Sequence, residues 1–536
     1  MSSRLLQRLG TTVTGGAILI AAGSLMSRLL GLARDRLLFG RFPVDQLDSY
    51  YVAFRLPDLI FNILVLGVLS SAFIPVFIET RKKEGETDHE ASWRLANSVL
   101  NILLAILFFL AALAFVFAPQ IVPLFAPGFS GEKMHDTVAL TRIMLLAILF
   151  FGVSNVISSI LNSFRRFLAF AFAPVLYNAG IIVGIAVLAP DMGMAGLAWG
   201  VVFGAVLHLL IQLPGAFRIG FRYRWQFRWR ESGVRKVFRL MLPRTLGLGV
   251  AQIEQLVSTV IASTLAAGSV AIFSAANNLQ SFPINIFGVS LAISSFPVFS
   301  EAFAEKNIPK FVVEFSKVFR RILFFIVPVS VLILLLRAQI VRVILGSGEF
   351  GWNETILTAQ ALGFFSLALF AQSLLPTLTR SFYALQDTVT PVKVSIVGVV
   401  LNIIGGLTLG RMMGVTGLAL SFSVTSAIQM LALLILLRSR LGDLDDDTIL
   451  SSAIKIIIAS GVMAVATWAA LQGLALGVNQ HTFAGIFVQG AAAGAVGVVT
   501  YLAITTLFRF DEVRLIRSWI GRARQQLRST KRKNTD

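Results

Sequence analysis

GSLMSRLLGLARDRLLFGRFPVDQLDSYYVAFRLPD, residues 23–58, decides how the rest of the chain is read. It lies between long apolar runs, yet it carries Arg28, Arg34, Asp35, Arg36, Arg41, Asp45, Asp48, Arg55 and Asp58. A charge at the centre of a bilayer costs about 2.5–3.5 kcal/mol on insertion scales, so ionisable groups at that depth point to function. At about 100° per residue, Arg28, Gly31 and Asp35 share one helical face and Arg34 lies off it. A local break at Gly31 would bring Arg34 round. Asp48, Arg55, Asp58 and Asn62 follow at spacings of 7, 3 and 4, a single stripe. Pro57 is expected to kink or start the helix there. Two polar stripes of mixed sign suit a wet cavity inside a membrane bundle. Snorkelling to the interface is the competing reading, and it suits Arg36 and Arg41 better.

The composition agrees with a membrane setting. Of 536 residues, 56% are hydrophobic and 14% charged, and the mean hydropathy is +0.81. No soluble globular class has this balance, so the chain reads as an all-α polytopic membrane protein. Cysteine is absent, which removes disulfides and thiolate metal sites, and the four histidines lack metal-ligand spacing. No cofactor is expected, and no cleavable signal peptide is evident. About fourteen apolar runs are long enough to span, from 12–34 and 50–78 through 193–213 and 241–267 to 482–508.

The net charge of +19 falls on alternate loops. Basic residues gather in the first tail, after spans two, four, six, eight and twelve, and in the last tail, with Arg337 and Arg342 as the main exception. The positive-inside rule then places both termini in the cytoplasm, which requires an even number of spans. FRYRWQFRWR, residues 221–230, alternates aromatic and basic residues. It reads as a short strand or extended segment on a membrane surface, its arginines on anionic lipid phosphates, rather than as a nucleic-acid site. Arg514 to Lys533 reads as an interfacial helix.

The chain contains itself twice, about 220 residues apart. AFIPVFIE (72–79) echoes SSFPVFSE (294–301), NSFRRFLAFAFAPV (162–175) echoes RSFYALQDTVTPV (380–392), and GMAGLA (193–198) echoes GVTGLA (414–419). Six spans separate the copies, so the halves share one orientation, a parallel repeat whose substrate sites lie near mid-membrane. The expected division is an N-lobe 1–220, a basic-aromatic linker 221–240, a C-lobe 241–440, spans thirteen and fourteen in 441–510, and a basic tail 511–536. In the second half the polar positions are mostly amides. Asn278 on span eight is open to substrate contact or to ordinary interhelical hydrogen bonding, and Asn155, Asn162, Asn178 and Asn402 read as structural. A carboxylate at Glu254 must be neutral, paired or cation-bound, which makes Glu254 a candidate for cation coupling.

SRLLGLARD (27–35), YYVAFRLPD (50–58) and AFIPVF (72–77) resemble the lipid II flippase family MurJ, also called MviN. Residues 251–283 and DTVTPVK (387–393) resemble the same family. The resemblance covers spans one to twelve. It implies a fold of the multidrug/oligosaccharidyl-lipid/polysaccharide exporter type, with two six-helix lobes and two further helices. It implies movement of lipid-linked peptidoglycan precursor from the inner to the outer leaflet of a bacterial cytoplasmic membrane. Matched by position, Arg28, Arg34 and Asp35 fall on the family's cationic motif, Asp48 on its aspartate before span two, and Arg55 where a basic residue is usual. Two usual arginines are replaced, at Phe61-Asn62 and at Asn278. An acidic residue that the family can use for sodium is replaced near Gly405-Gly406, which leaves Asn402 and Glu254 for that role. The expected substrate-binding set is Arg28, Arg34, Asp35, Asp48, Arg55, Asp58, Asn62 and Asn278. No phosphate-binding GxxxxGK[ST] loop occurs, so ATP use is not indicated, and no bond chemistry is expected. Runner-up readings are a flippase for another lipid-linked oligosaccharide, a cation-coupled multidrug antiporter of the same fold, and a non-transporting scaffold for cell-wall enzymes.

Overall fold

The computed structural model describes residues 13–66, 72–84, 89–480, 482–508, 510 and 512, with the side chains of 13–18, 66, 84 and 242–251 outside that description. Arg4 and Arg8, and the interfacial helix expected at 514–533, lie outside the described residues. The chain divides into two compact units, Met1–Ile272 with Ile344–Glu354, and Phe273–Val343 with Thr355–Asp536.

Unit 1 holds helices α1 (Val13–Arg41), α2 (Val44–Ala53), α3 (Arg55–Phe61), α4 (Ile74–Glu84), α5 (Glu90–Val116) and α6 (Ala118–Phe125). It continues with α7 (Gly131–Ser163), α8 (Phe167–Val183), α9 (Ala189–Leu210), α10 (Leu213–Arg218) and α11 (Ser232–Ser263). Helix α12 (Ser269–Pro283) follows. Unit 2 contains α13 (Ser290–Ala304), α14 (Ile308–Ile344), α15 (Trp352–Leu367), α16 (Leu369–Ala384), α17 (Val389–Met413), α18 (Val415–Leu441), α19 (Asp446–Ala475) and α20 (Phe483–Leu507). Among the described residues there is no strand. Hydrocarbon offers no partner to a free peptide group, so helices, which satisfy their own backbones, are the form these apolar runs take.

Nine described helical runs are long and apolar enough to cross a membrane, or ten if the bent pair α15–α16, at 47°, is one span. The expected fourteen is not reached on that measure. Expected spans 12–34, 50–78 and 241–267 include residues or side chains outside the described set. One of the nine, Phe167–Arg218, contains two expected spans.

That run folds back on itself at Gly193, whose φ of 57° and ψ of −135° suit glycine alone. Gly180 lies against Gly204, Gly184 against Gly200, and Gly196 against Leu188, pairs symmetric about residue 192. A Cβ on Gly184 would fall 2.5 Å from the Gly200 Cα. Glycine spaced by four thus lets α8 and α9 meet backbone to backbone, which is how helices associate where lipid removes the hydrophobic drive. Unit 2 repeats the device. Gly414, at φ 65° and ψ −144°, joins α17 to α18, with Gly417 against Leu409 and Gly405 against Ser421. π-helical turns recur as well, at Asn62–Leu66 in unit 1 and Ile284–Val289 in unit 2. The internal repeat is therefore visible in the backbone irregularities that echoing residues produce.

Two expectations are corrected. Helix α1 runs unbroken through Gly31, so no local break turns Arg34. Of the two forms expected for residues 221–230, the short strand is absent: residues 221–228 form neither helix nor strand. Side chains of α5 hold this ribbon instead: Asn97 Nδ2 donates to the Arg222 carbonyl, and Asn97 Oδ1 accepts from the Arg224 N–H. Asn101 Nδ2 donates to the Arg224 and Gln226 carbonyls, each at 3.0 Å. The expected linker 221–240 is helical from Ser232, where α11 begins.

Candidate functional site

Helix α1 packs against α8 because Gly23 has no side chain to strike the Ala171 carbonyl, while Gly31 faces Asn178 with room for a Cβ. This contact brings Arg34 to α8. Its Nε and Nη2 donate to Asp35 Oδ1 at 2.9 and 2.7 Å, and its Nη1 donates to Asn178 Oδ1 at 3.1 Å. Asn178 is itself held: its Nδ2 donates to the Ser27 carbonyl, to Ser27 Oγ and to the Pro174 carbonyl. The guanidinium therefore has a fixed seat. An unbroken helix carries it there, because Gly23, Ser27, Gly31 and Arg34 recur at spacings of 4, 4 and 3 on the face that meets α8.

Around this seat lies a cluster of phenols and charges. Arg34 is within electrostatic reach of Tyr50, Tyr51 and Tyr177. Tyr51 is within reach of Arg55, Arg55 of Asp58, and Asp58 of Tyr177. The structure thus gathers Arg34, Asp35, Arg55 and Asp58 into one group. Helix α3 starts at Arg55, with Pro57 in its first turn, where a missing N–H costs nothing. Among the described residues, Arg55 Nε is buried with no hydrogen-bond acceptor. A buried cationic donor left open is costly without a ligand. Arg28 is half-buried nearly two turns earlier on α1, and Asn62 opens the π turn after α3.

Asp48 stands apart. Its carboxylate is 1% exposed. It accepts from the Gly268 N–H at 2.7 Å, the Ala271 N–H at 2.8 Å and Lys133 Nζ at 2.8 Å. Asp48 is thus a cap supplied by α2 to the first turn of α12, with Lys133 shared between Asp48 and Asp45. The two lone pairs of each oxygen are largely committed, so the group acts as an anchor for these segments.

The remaining candidates lie on other helices. Glu254 is half-buried on α11, and its carbonyl accepts from Ser258 Oγ. Asn278 is exposed on α12. Asn402 is fully buried in unit 2, where its Oδ1 accepts from Ser421 Oγ at 3.2 Å within the α17–α18 hairpin. Sequence reading misses the part of Asn178 in seating Arg34, and it misses the three tyrosines. Tyr50 and Tyr51 lie inside the decisive stretch, where they read only as apolar. Among the described residues no group of His, Asp or Glu is arranged to hold a metal ion.

Comparison with known proteins gives a consistent answer. A family model described as "Lipid II flippase MurJ" matches residues 39–488. The lipid II flippase MurJ of Burkholderia cenocepacia is 30% identical over 434 residues, covering 79% of this chain and 84% of that one. A probable lipid II flippase MurJ of Bdellovibrio bacteriovorus is 29% identical over 464 residues, covering 84% and 87%. Among solved structures, a lipid II flippase MurJ in an inward closed conformation superposes with a TM-score of 0.74 at 24% identity, covering 92% of this chain and 98% of that one. An inward-facing multidrug resistance MATE transporter of the MOP superfamily gives 0.66 at 17% identity, covering 80% and 99%. These likenesses fix the fold as that of the MurJ and MATE transporters.

Proposed function

We propose, from the premise that this chain belongs to the lipid II flippase MurJ family, that it moves lipid-linked peptidoglycan precursor from the inner to the outer leaflet. The observation that carries this reading is the seated guanidinium of Arg34, fixed by Asp35 and Asn178, with Arg34 and Arg55 both within electrostatic reach of Tyr51. The substrate's pyrophosphate presents pairs of anionic oxygens, which the planar fork of arginine matches with two parallel hydrogen bonds. Its polyprenyl tail stays in lipid, and its polar head needs a wet route past the hydrocarbon. Arg28, Arg34 and Arg55 bind the head. Asp35 and Asp58 set the positions of those arginines, and Asn62 lines the same stripe. Asp48 and Lys133 hold one conformational state, Asn278 contacts the head group, and Glu254 and Asn402 serve cation coupling. The site is exposed alternately to the two membrane faces. The chain makes and breaks no bond in this reading, uses no ATP and binds no nucleic acid. Both termini lie in the cytoplasm, residues 221–240 link the two repeats, and the basic loops rest on anionic lipids.

The test is rescue of a flippase-depleted strain, paired with surface labelling of the lipid-linked precursor. Arg34→Ala and Arg28→Ala are expected to insert normally and to abolish both rescue and labelling. Full rescue by both variants overturns the arginine role.

A further inference from the structure

Unit 1 has a second feature that the charged cluster does not use. A groove of about 710 Å³ opens among the end of α7, the first turns of α8 and α10. That volume lies within the range of about 300–1,000 Å³ typical of small-ligand sites. Leu161, Phe172, Leu176 and Ile211 are among its apolar walls, and Arg166 and Arg218 stand at its rim. Both arginines are exposed. Among the described residues neither guanidinium has a carboxylate partner, whereas neighbouring Arg81 is committed to the Ser163 carbonyl and the Phe164 ring.

The adjoining chain gives the level of the rim in a bilayer. Ile219, also on the groove, leads through Gly220 into the ribbon 221–230. The ribbon exposes Trp225 at 76% and Trp229 at 61%, with Tyr223 and Phe227 also exposed. Aromatic rings alternating with arginines belong at the boundary of headgroups and acyl chains. The groove walls belong to a run apolar enough to cross the membrane. The rim therefore lies at phosphate level and the walls run into the acyl region.

We propose that this groove is a lipid site, holding one acyl chain of an anionic phospholipid with its phosphate between Arg166 and Arg218. The charges fit one phosphate, and the walls fit hydrocarbon. The inference needs only that unit 1 sits in a bilayer, and it is independent of the flippase reading.

Native mass spectrometry of the full-length protein tests it, with phosphatidylglycerol and phosphatidylcholine of identical chains. The wild type is expected to retain one phosphatidylglycerol in preference by at least about fivefold, the factor that one basic residue near the surface supplies. R166Q/R218Q should bring the two lipids level, since both side chains are exposed and their loss leaves the fold intact. Leu176→Trp, which fills the groove, should remove the adduct while Arg41→Gln leaves it. Equal retention of both lipids by the wild type overturns the proposal, as does an undiminished preference in R166Q/R218Q. It is also overturned if glycerol phosphate displaces the lipid as well as phosphatidylglycerol does, which would make the site a phosphate site only. Displacement by polyprenyl phosphate at lower concentration would overturn it by assigning the groove to the transported lipid class. A lipid-dependent dimer would overturn it by assigning the groove to a second copy.

Discussion

Arg34 donates to Asn178 at 3.1 Å across 144 residues of chain, so the first helix of unit 1 fixes its cation on the eighth. Asn178→Leu removes the acceptor and also frees Ser27. A hydrogen bond to a charged group contributes about 1.5–3 kcal/mol, so transport by N178L should fall roughly tenfold or more. Asn178→Asp, which keeps an acceptor, should retain most activity. Vesicle assays with fluorescent lipid-linked precursor read both, and equal activity of N178L and wild type would remove Asn178 from the site.

Asp48 should matter for stability before it matters for substrate. Asp48→Ala strands the Gly268 and Ala271 N–H groups and leaves Lys133 with Asp45 alone. Breaking a buried pair by removing one partner costs about 3–5 kcal/mol. Asp45→Ala removes an exposed carboxylate and should cost less than about 1 kcal/mol. Thermal unfolding in detergent compares the two, and similar midpoints would refute the anchoring role.

The α8–α9 hairpin predicts two kinds of glycine. Gly184→Val drives a side chain into the Gly200 backbone and should leave little monodisperse protein. At Gly193 a Cβ meets nothing within 4 Å, so Gly193→Ala pays backbone strain alone, about 1–3 kcal/mol. Fluorescence-detected size exclusion should show a severe loss in the first variant and a mild one in the second.

Release of the ribbon should be visible to protease. Asn97→Leu with Asn101→Leu removes the side chains that bind Arg222, Arg224 and Gln226. Each bond contributes about 1 kcal/mol net, so tryptic cleavage between Arg222 and Arg228 should accelerate at least about tenfold. An unchanged cleavage rate would mean that other contacts hold the segment.

One surface network sets a pH dependence. Hydrogen bonds from Lys236 and Lys83 hold the Glu79 carboxyl down at about 2. Its folded value lies below the ordinary one, so its contribution is full above about pH 4.3, and is lost as pH falls toward 2. The gap in melting temperature between wild type and Glu79→Gln should be constant from pH 7 to 5 and close only as the pH approaches 2. A gap that closes near pH 5 would show that the Lys236 pair does not form.

How far the site was legible depends on the range of the contacts. Arg28, Arg34, Asp35, Arg55 and Asp58 stand out in sequence because ionisable groups among apolar runs are costly. A stripe drawn through Arg28, Gly31 and Asp35 left Arg34 out, whereas Ser27, Gly31 and Arg34 form the stripe that meets α8, and only the packed helix shows which face is used. Asp48 was visible as a charge, and its use as a cap for α12 was not, since Gly268 and Ala271 lie 220 and 223 residues away.

Composition and period by themselves determined that this is a helical membrane protein with an internal repeat, because hydrocarbon admits few backbone forms and echoing residues impose the same turns. Gly193 and Gly414 carry that repeat in plain letters. Only the tertiary structure decided which polar groups meet. Asn178 becomes the seat of Arg34 because Gly23 lets two helices close to contact, and hydrogen bonds between segments depend on that approach rather than on any local pattern.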